Sequence, residues 1–203
     1  MPKVASRPLA RRSCQTLAPL RTPETQPVVL LASSRSAGNT FRLAELILPA
    51  GTARVIDLTK LKIGYYSYGQ ENAGDDFVPL VEELLLFQVW VLATPLYWYT
   101  MSAQAKTFID RLSDLLSARK EVGRRLRGKA LAVVCAGSDA QPPSSFAHPF
   151  ELTCQYLGMR FLGSHYCPFE ESRTPSPELA SAAAEFGRAL IHEAANPSIE
   201  RTF

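Results

Sequence analysis

The sequence predicts an α/β protein, a doubly wound sheet of five parallel strands in the order 2-1-3-4-5 with helices on both faces. Three observations predict it. Short unbroken apolar runs recur along the chain, and runs of that kind are strands buried on both faces. Segments with helical spacing alternate with them, which implies parallel strands joined by right-handed crossovers. The length of 203 residues, with 46% hydrophobic and 20% charged residues, suits one domain with a sizeable core and leaves little room for two.

Each element has its own signal. Val28-Val29-Leu30-Leu31-Ala32 is the first strand. Phe41, Leu43, Ala44, Ile47 and Leu48 give a helix that Gly51 can end. Arg54 to Leu58 is the second strand, and the irregular stretch 62–76 follows, carrying Tyr65, Tyr66 and Tyr68. Asp75 or Asp76 can cap a helix running through Leu86. Val89 to Thr94 is the third strand, and Ser102 can cap a helix from Ala103 to Leu116. Lys129 to Cys135, a helix centred on 149–157 and a strand at about 160–166 come next. Ser176 caps a last helix with Pro177 at its first position, and Asn196-Pro197 stops it.

Residues 1–27 read as a flexible leader ahead of a domain at 28–203. The leader holds five of the fifteen prolines and Lys3, Arg7, Arg11, Arg12 and Arg21 against Glu24 alone, a net of +4. Its basic, acid-poor composition is weakly that of a transit peptide, and a disordered tail or a mis-assigned start is the simpler account. The chain as a whole carries +3, so the domain carries +3 − 4 = −1. No basic stripe is expected on its folded face, and nucleic acid is excluded as a partner on that ground.

Leu84 to Ala105 has no charged residue and is long enough to span a bilayer, but Pro95 and several polar side chains interrupt it. It reads as helix end, strand and loop, so no membrane insertion is expected. No signal-peptide core is visible at the N-terminus. Cysteines 14, 135, 154 and 167 lack zinc or iron–sulfur spacing and read as reduced, mostly buried thiols of a cytoplasmic protein.

In an open parallel sheet, ligands bind beyond the carboxyl ends of the strands where the winding reverses, here between strands one and three. The loop after strand one, Ser33-Ser34-Arg35-Ser36-Ala37-Gly38-Asn39-Thr40, brings four hydroxyls, a guanidinium and an amide to a helix N-terminus. Unpaired N–H groups and the helix dipole favour an anion there, and Arg35 suits phosphate. The loop is neither a Walker loop nor a dinucleotide fingerprint. A polar loop closed by a Ser or Asn cap, with no ligand, is the alternative. The loop after strand three, Thr94-Pro95-Leu96-Tyr97-Trp98-Tyr99-Thr100-Met101-Ser102, places three aromatics in succession. They line a flat ligand or, alternatively, pack at an interface or in the core. His192 reads as exposed and His165 as a packing residue, while Asp75-Asp76 and Asp110-Arg111 read as a cap and a helix surface pair. No general base is assigned.

These two loops, with Lys106-Thr107-Phe108-Ile109-Asp110-Arg111 and Asp114-Leu115-Leu116 after them, resemble the flavodoxin-like superfamily of NAD(P)H-dependent FMN reductases and quinone oxidoreductases. The resemblance covers about residues 27–195. It implies that Ser34, Arg35, Asn39 and Thr40 hold the FMN phosphate, with Ser33 supporting the turn. It implies that Pro95, Leu96, Tyr97 and Trp98 run along the isoalloxazine edge, and that Ala136, Gly137 and Ser138 form the other flavin-contacting loop. It further implies two-electron transfer from NADPH or NADH through FMN to a small quinone-, nitroaromatic- or flavin-like acceptor, in a homodimer or homotetramer. Iron–sulfur members carry a cysteine cluster where Ile63 to Tyr68 has none, so FMN is the only redox centre expected. Gly common in the family near Ala103 is absent, which touches loop detail. The alternatives are a flavodoxin-type electron carrier, usually strongly acidic, and a non-enzymatic regulatory protein of the same fold.

Overall fold

The computed structural model describes residues 24–168 and 175–198. Five strands, β1 (Val28–Leu31), β2 (Arg54–Asp57), β3 (Val89–Pro95), β4 (Ala130–Gly137) and β5 (Arg160–Pro168), form one parallel sheet in the order β2-β1-β3-β4-β5. The helices are α1 (Asn39–Ile47), α2 (Phe77–Leu84), α3 (Ala103–Arg111), α4 (Asp114–Ser117), α5 (Lys120–Gly123), α6 (His148–Leu157) and α7 (Pro177–Ala195). The strand order is the one the sequence predicts.

Strand alternation divides the core in two. Val28 and Leu30 face one layer with Trp90, Phe77, Phe108, Leu115 and Phe150, under α2, α3 and α6. Val29 and Leu31 face the other with Val91, Leu43, Ile47 and Leu190, under α1 and α7. Successive strand residues point to opposite faces, so a strand apolar at every position can feed both layers. The α1–α7 crossing is close enough that a Cβ on Gly187 would lie on the Ile47 carbonyl. Ser176 caps α7 through the Leu179 N–H (3.3 Å) with Pro177 at its first position, and the helix ends before Asn196.

The expectations for one helix and for the domain's charge need correction. The helix expected from Ala103 to Leu116 breaks after Arg111. The N–H groups of Leu112 and Ser113 tighten onto the Ile109 and Asp110 carbonyls, and Asp114 turns its carboxylate back to Arg111 Nε at 2.8 Å. Of the leader expected at 1–27, only the last four residues are described. Glu24 donates its N–H to the Leu86 carbonyl (2.9 Å), and Pro27 is buried. The leader's residues 1–23 lie outside the described residues. Finally, the domain's near-neutral charge conceals a basic run. Arg119, Lys120, Arg124, Arg125, Arg127 and Lys129 stand within eleven residues against Glu121 alone. The run spans α5 and leads into β4. Arg119 there pairs with Glu82 and Glu121, and Lys129 donates to the Leu85 carbonyl. A charge summed over the whole domain hid it.

Candidate functional site

The carboxyl ends of β1, β3 and β4 open on one cleft of about 310 Å³. Its first wall is the loop entering α1, with Ser33, Arg35, Gly38, Asn39 and Thr40. Gly38 is the N-cap residue, and no side chain among the described residues caps the helix. The Ser or Asn cap that would have closed this N-terminus is therefore not formed, and a helix start leaves its first N–H groups without intrahelical partners. Ser36 reaches the other way. Burial works to raise the pKa of Asp57, at the end of β2, but hydrogen bonds from Ser36 and from the Thr59 hydroxyl and N–H hold it below the usual carboxylate value. The outermost strand thus anchors the loop from behind.

The second wall is Pro95, Leu96 and Tyr97. Here the loop is fastened by Thr94 and Ser102. Ser102 donates its N–H to Thr94 Oγ1 (2.9 Å) and its hydroxyl to the Ala32 carbonyl (2.6 Å), and it accepts the Ala105 N–H to cap α3 (3.1 Å). Beyond Tyr97 the chain makes a tight hairpin closed by two Tyr97–Thr100 backbone hydrogen bonds of 2.9 and 3.0 Å. Its central residues, Trp98 and Tyr99, have φ of +48° and +66°. That is the left-handed region such turns require, and bulky residues occupy it at a cost of about 1–3 kcal/mol each.

The third wall is Ala136, Gly137 and Ser138. The structure thus brings together ten of the twelve residues that the resemblance singled out. Ser34 stands at the rim, its hydroxyl 3.3 Å from Tyr97 Oη, so it joins the first wall to the second. Trp98 lies outside the lining at the hairpin tip, 91% exposed.

Other groups are structural. Arg111 is not half of a helix surface pair: it forms a buried centre with Asp75. Arg111, 1% exposed, binds both oxygens of Asp75, the Asp114 carboxylate and the Gly64 carbonyl (2.9 Å). Asp75 also accepts the Phe77 N–H at 3.0 Å, so the expected cap is there as well. Burial opposes ionisation of Asp75, but Arg111 and the N–H groups of Gly64 and Phe77 hold its carboxyl below the usual value. His165 stacks on Phe186 with centroids 5.5 Å apart, and burial pushes its pKa down. Cys135, Cys154 and Cys167 are free and buried, and burial pushes the first two thiols up to about 12, so they stay protonated. Cys14 lies outside the described residues.

A larger hollow of about 690 Å³ lies at the opposite end of the sheet, beside Gly128 and Gly158, but its cation, Arg160, is already paired with Glu193 at 2.6 Å. No group of His, Cys, Asp and Glu able to hold a metal occurs among the described residues, and no helix there is long and apolar enough to cross a membrane.

Sequence reasoning missed Asp57, Arg111 and Tyr166. Asp57 and Tyr166 sit at carboxyl ends of strands whose loops do not line the cleft, and only their position beside loops that do could have pointed to them.

The sheet order and a cleft at its winding switch define a flavodoxin-like α/β protein. The sequence pattern of the NADPH-dependent FMN reductase family matches residues 26–173. YwqN of Bacillus subtilis (strain 168), whose name assigns it provisionally to the NAD(P)H-dependent FMN-containing oxidoreductases, is 30% identical over 145 residues, covering 66% of this chain and 80% of YwqN. The Trp repressor binding protein structure from Bacillus subtilis superposes with a TM-score of 0.62 at 26% identity, covering 79% of this chain and 97% of that one. The apo NADH:FMN oxidoreductase EMOB shares the fold, with a TM-score of 0.63 at 15% identity over 84% of this chain and 90% of that one. This chain belongs to the NADPH-dependent FMN reductase family and is an NAD(P)H-dependent FMN oxidoreductase.

Proposed function

We propose that the cleft is the FMN site and that the enzyme reduces a small flat acceptor of the quinone, nitroaromatic or flavin type. The observation that carries this reading is the donor set. At one end of the cleft, Arg35, Asn39, Thr40 and Ser33 surround an uncapped helix N-terminus, and no lining residue is acidic. That chemistry suits a phosphate dianion. At the other end, Pro95, Leu96, Tyr97 and the backbone of Ala136, Gly137 and Ser138 offer apolar surface and peptide edges, which suit a fused heteroaromatic ring.

Arg35, Asn39, Thr40 and Ser34 bind the phosphate in this reading, and Ser33 holds the turn. Ser33 Oγ accepts the Arg35 N–H at 3.4 Å. Pro95, Leu96 and Tyr97 fix the ring, with the third wall along its other side. FMN, when bound, supplies the redox chemistry, taking a hydride from the nicotinamide and delivering two electrons to the acceptor. The protein orients the ring and keeps one face open, so that nicotinamide and acceptor use it in turn. No side chain is assigned as acid or base. Trp98 and Tyr99 at the hairpin tip are placed for what docks over the mouth, either the acceptor or a second copy in a homodimer or homotetramer. The free cysteines Cys135, Cys154 and Cys167 are in keeping with a cytoplasmic location.

An absorption spectrum tests the reading. Protein mixed with FMN and desalted is expected to retain a flavin band that bleaches with NADPH or NADH without oxygen. A retained band that does not bleach favours the electron-carrier alternative. A protein that takes up no FMN, even in an equilibrium titration, contradicts the assignment of the cleft.

A further inference from the structure

We propose that Tyr166 and Gly137 are a matched pair that sets the third wall of the cleft, with Tyr166 a positioning residue for the flavin ring. This rests on the reading of the cleft as the FMN site. β5 supplies no residue to the lining, yet Tyr166, near its carboxyl end, reaches to Gly137 and Asp139 at the end of β4. Its backbone is in register with Cys135, and its hydroxyl donates to the Asp139 carbonyl at 2.6 Å, two residues past the end of β4. On the other side, the Leu96 N–H donates to the Ala136 carbonyl at 2.8 Å. The two bonds pin the loop at 136 and at 139, so Gly137 and Ser138, both in the lining, are held between two fixed points.

Gly137 is the residue this arrangement demands. A Cβ there would stand 2.6 Å from Tyr166 Oη, 3.0 Å from Tyr166 Cε2 and 3.1 Å from Leu96 Cβ. The backbone at Gly137 is not in the left-handed region, so glycine serves space and not conformation. The hydroxyl that ties down Asp139 is therefore the nearest atom to the space a larger residue would need. Burial, with smaller contributions from Cys135, Asp139 and Cys167, pushes the Tyr166 phenol up to about 12, so it remains a donor at neutral pH.

The wall faces the ring and not the phosphate, and this gives the test a signature that general loosening lacks. FMN and riboflavin dissociation constants are measured by titrating the apoprotein, unaltered and as Tyr166→Phe, Gly137→Ala and the double variant, with urea unfolding of each apoprotein alongside. Tyr166→Phe is expected to weaken FMN and riboflavin by the same factor, about 5–10-fold for one lost hydrogen bond. Gly137→Ala is expected to weaken both by about 30-fold alone and by about threefold when Tyr166→Phe is already present, because the closest obstructing atom is gone. Equal factors for Gly137→Ala with and without the hydroxyl, or no effect of Tyr166→Phe on either flavin, would overturn the pairing. Should Gly137→Ala fail to fold, Tyr166→Phe decides alone through the FMN-to-riboflavin ratio, and a changed ratio overturns the proposal. If the unaltered protein binds neither flavin, the cleft reading itself fails.

Discussion

The loops after β1 and β3 open on the same cleft, yet the helices they lead into begin in opposite ways. α3 starts at a closed end: Ser102, fully buried, caps the helix, holds the end of β1 and is held by Thr94. α1 starts at Gly38 with no side-chain cap among the described residues, beside Arg35, Asn39 and Thr40. A helix N-terminus leaves four N–H groups unpaired, and folding satisfies them with a side chain, water or a ligand. The difference assigns different work to the two loops. The β3 loop is scaffold, finished when the chain folds, and in the proposed reading the β1 loop is finished by an anion.

Breaking the scaffold should cost stability first. Arg111 fastens the far end of α3 to the 64–75 segment, and Arg111→Met leaves Asp75 and Asp114 without their cation. A loss of about 3–5 kcal/mol in urea unfolding is expected. The same variant tests the pH dependence. Asp75 is held below the usual carboxylate value, so its contribution is fully present above about pH 4 and is lost as pH falls through its folded-state value. The unaltered protein should lose that stability on acidification, and the variant should lack that part of the slope. Ser102→Ala removes the cap and the bond to the Ala32 carbonyl together, for about 2–3 kcal/mol by the same measurement.

Breaking the open loop should do the reverse. Arg35→Ala should cost FMN affinity first, weakening it by about 10–100-fold, the worth of hydrogen bonds to a charged group. The smallest effect belongs to the hairpin tip. Trp98→Gly relieves a left-handed backbone and should raise stability by about 1 kcal/mol. FMN affinity should move less than about threefold, because Trp98 is outside the cleft lining. A larger loss would return Trp98 to the cofactor site, and a change in sedimentation alone would make the tip an interface.

The fold was legible because β1, β3 and β4 are buried through both faces and α7 carries its own punctuation in Ser176-Pro177 and Asn196-Pro197. The loops after β1 and β3 were legible because polar and aromatic clusters at strand ends are unusual, while Ala136-Gly137-Ser138 was singled out only through the family resemblance. What stayed hidden is what depends on depth and on neighbours across the sheet. Asp110-Arg111 has the spacing of a solvated pair, and only packing against Phe77, 4.8 Å below the guanidinium, shows that Arg111 is inside. Tyr166 and Asp57 act on loops distant in sequence, through pairings that no local pattern contains. The exposed position of Trp98 depends on two positive φ angles, which a Trp-Tyr sequence does not advertise.

The most direct measurement is a paired titration of the unaltered apoprotein with FMN and with riboflavin, which differ only in the phosphate. If the uncapped start of α1 is completed by that phosphate, FMN binds at least about 100-fold more tightly, the sum of several charge-assisted hydrogen bonds. Equal affinity for the two would show that the phosphate finds no partner at α1 and would contradict the division of labour between the two loops.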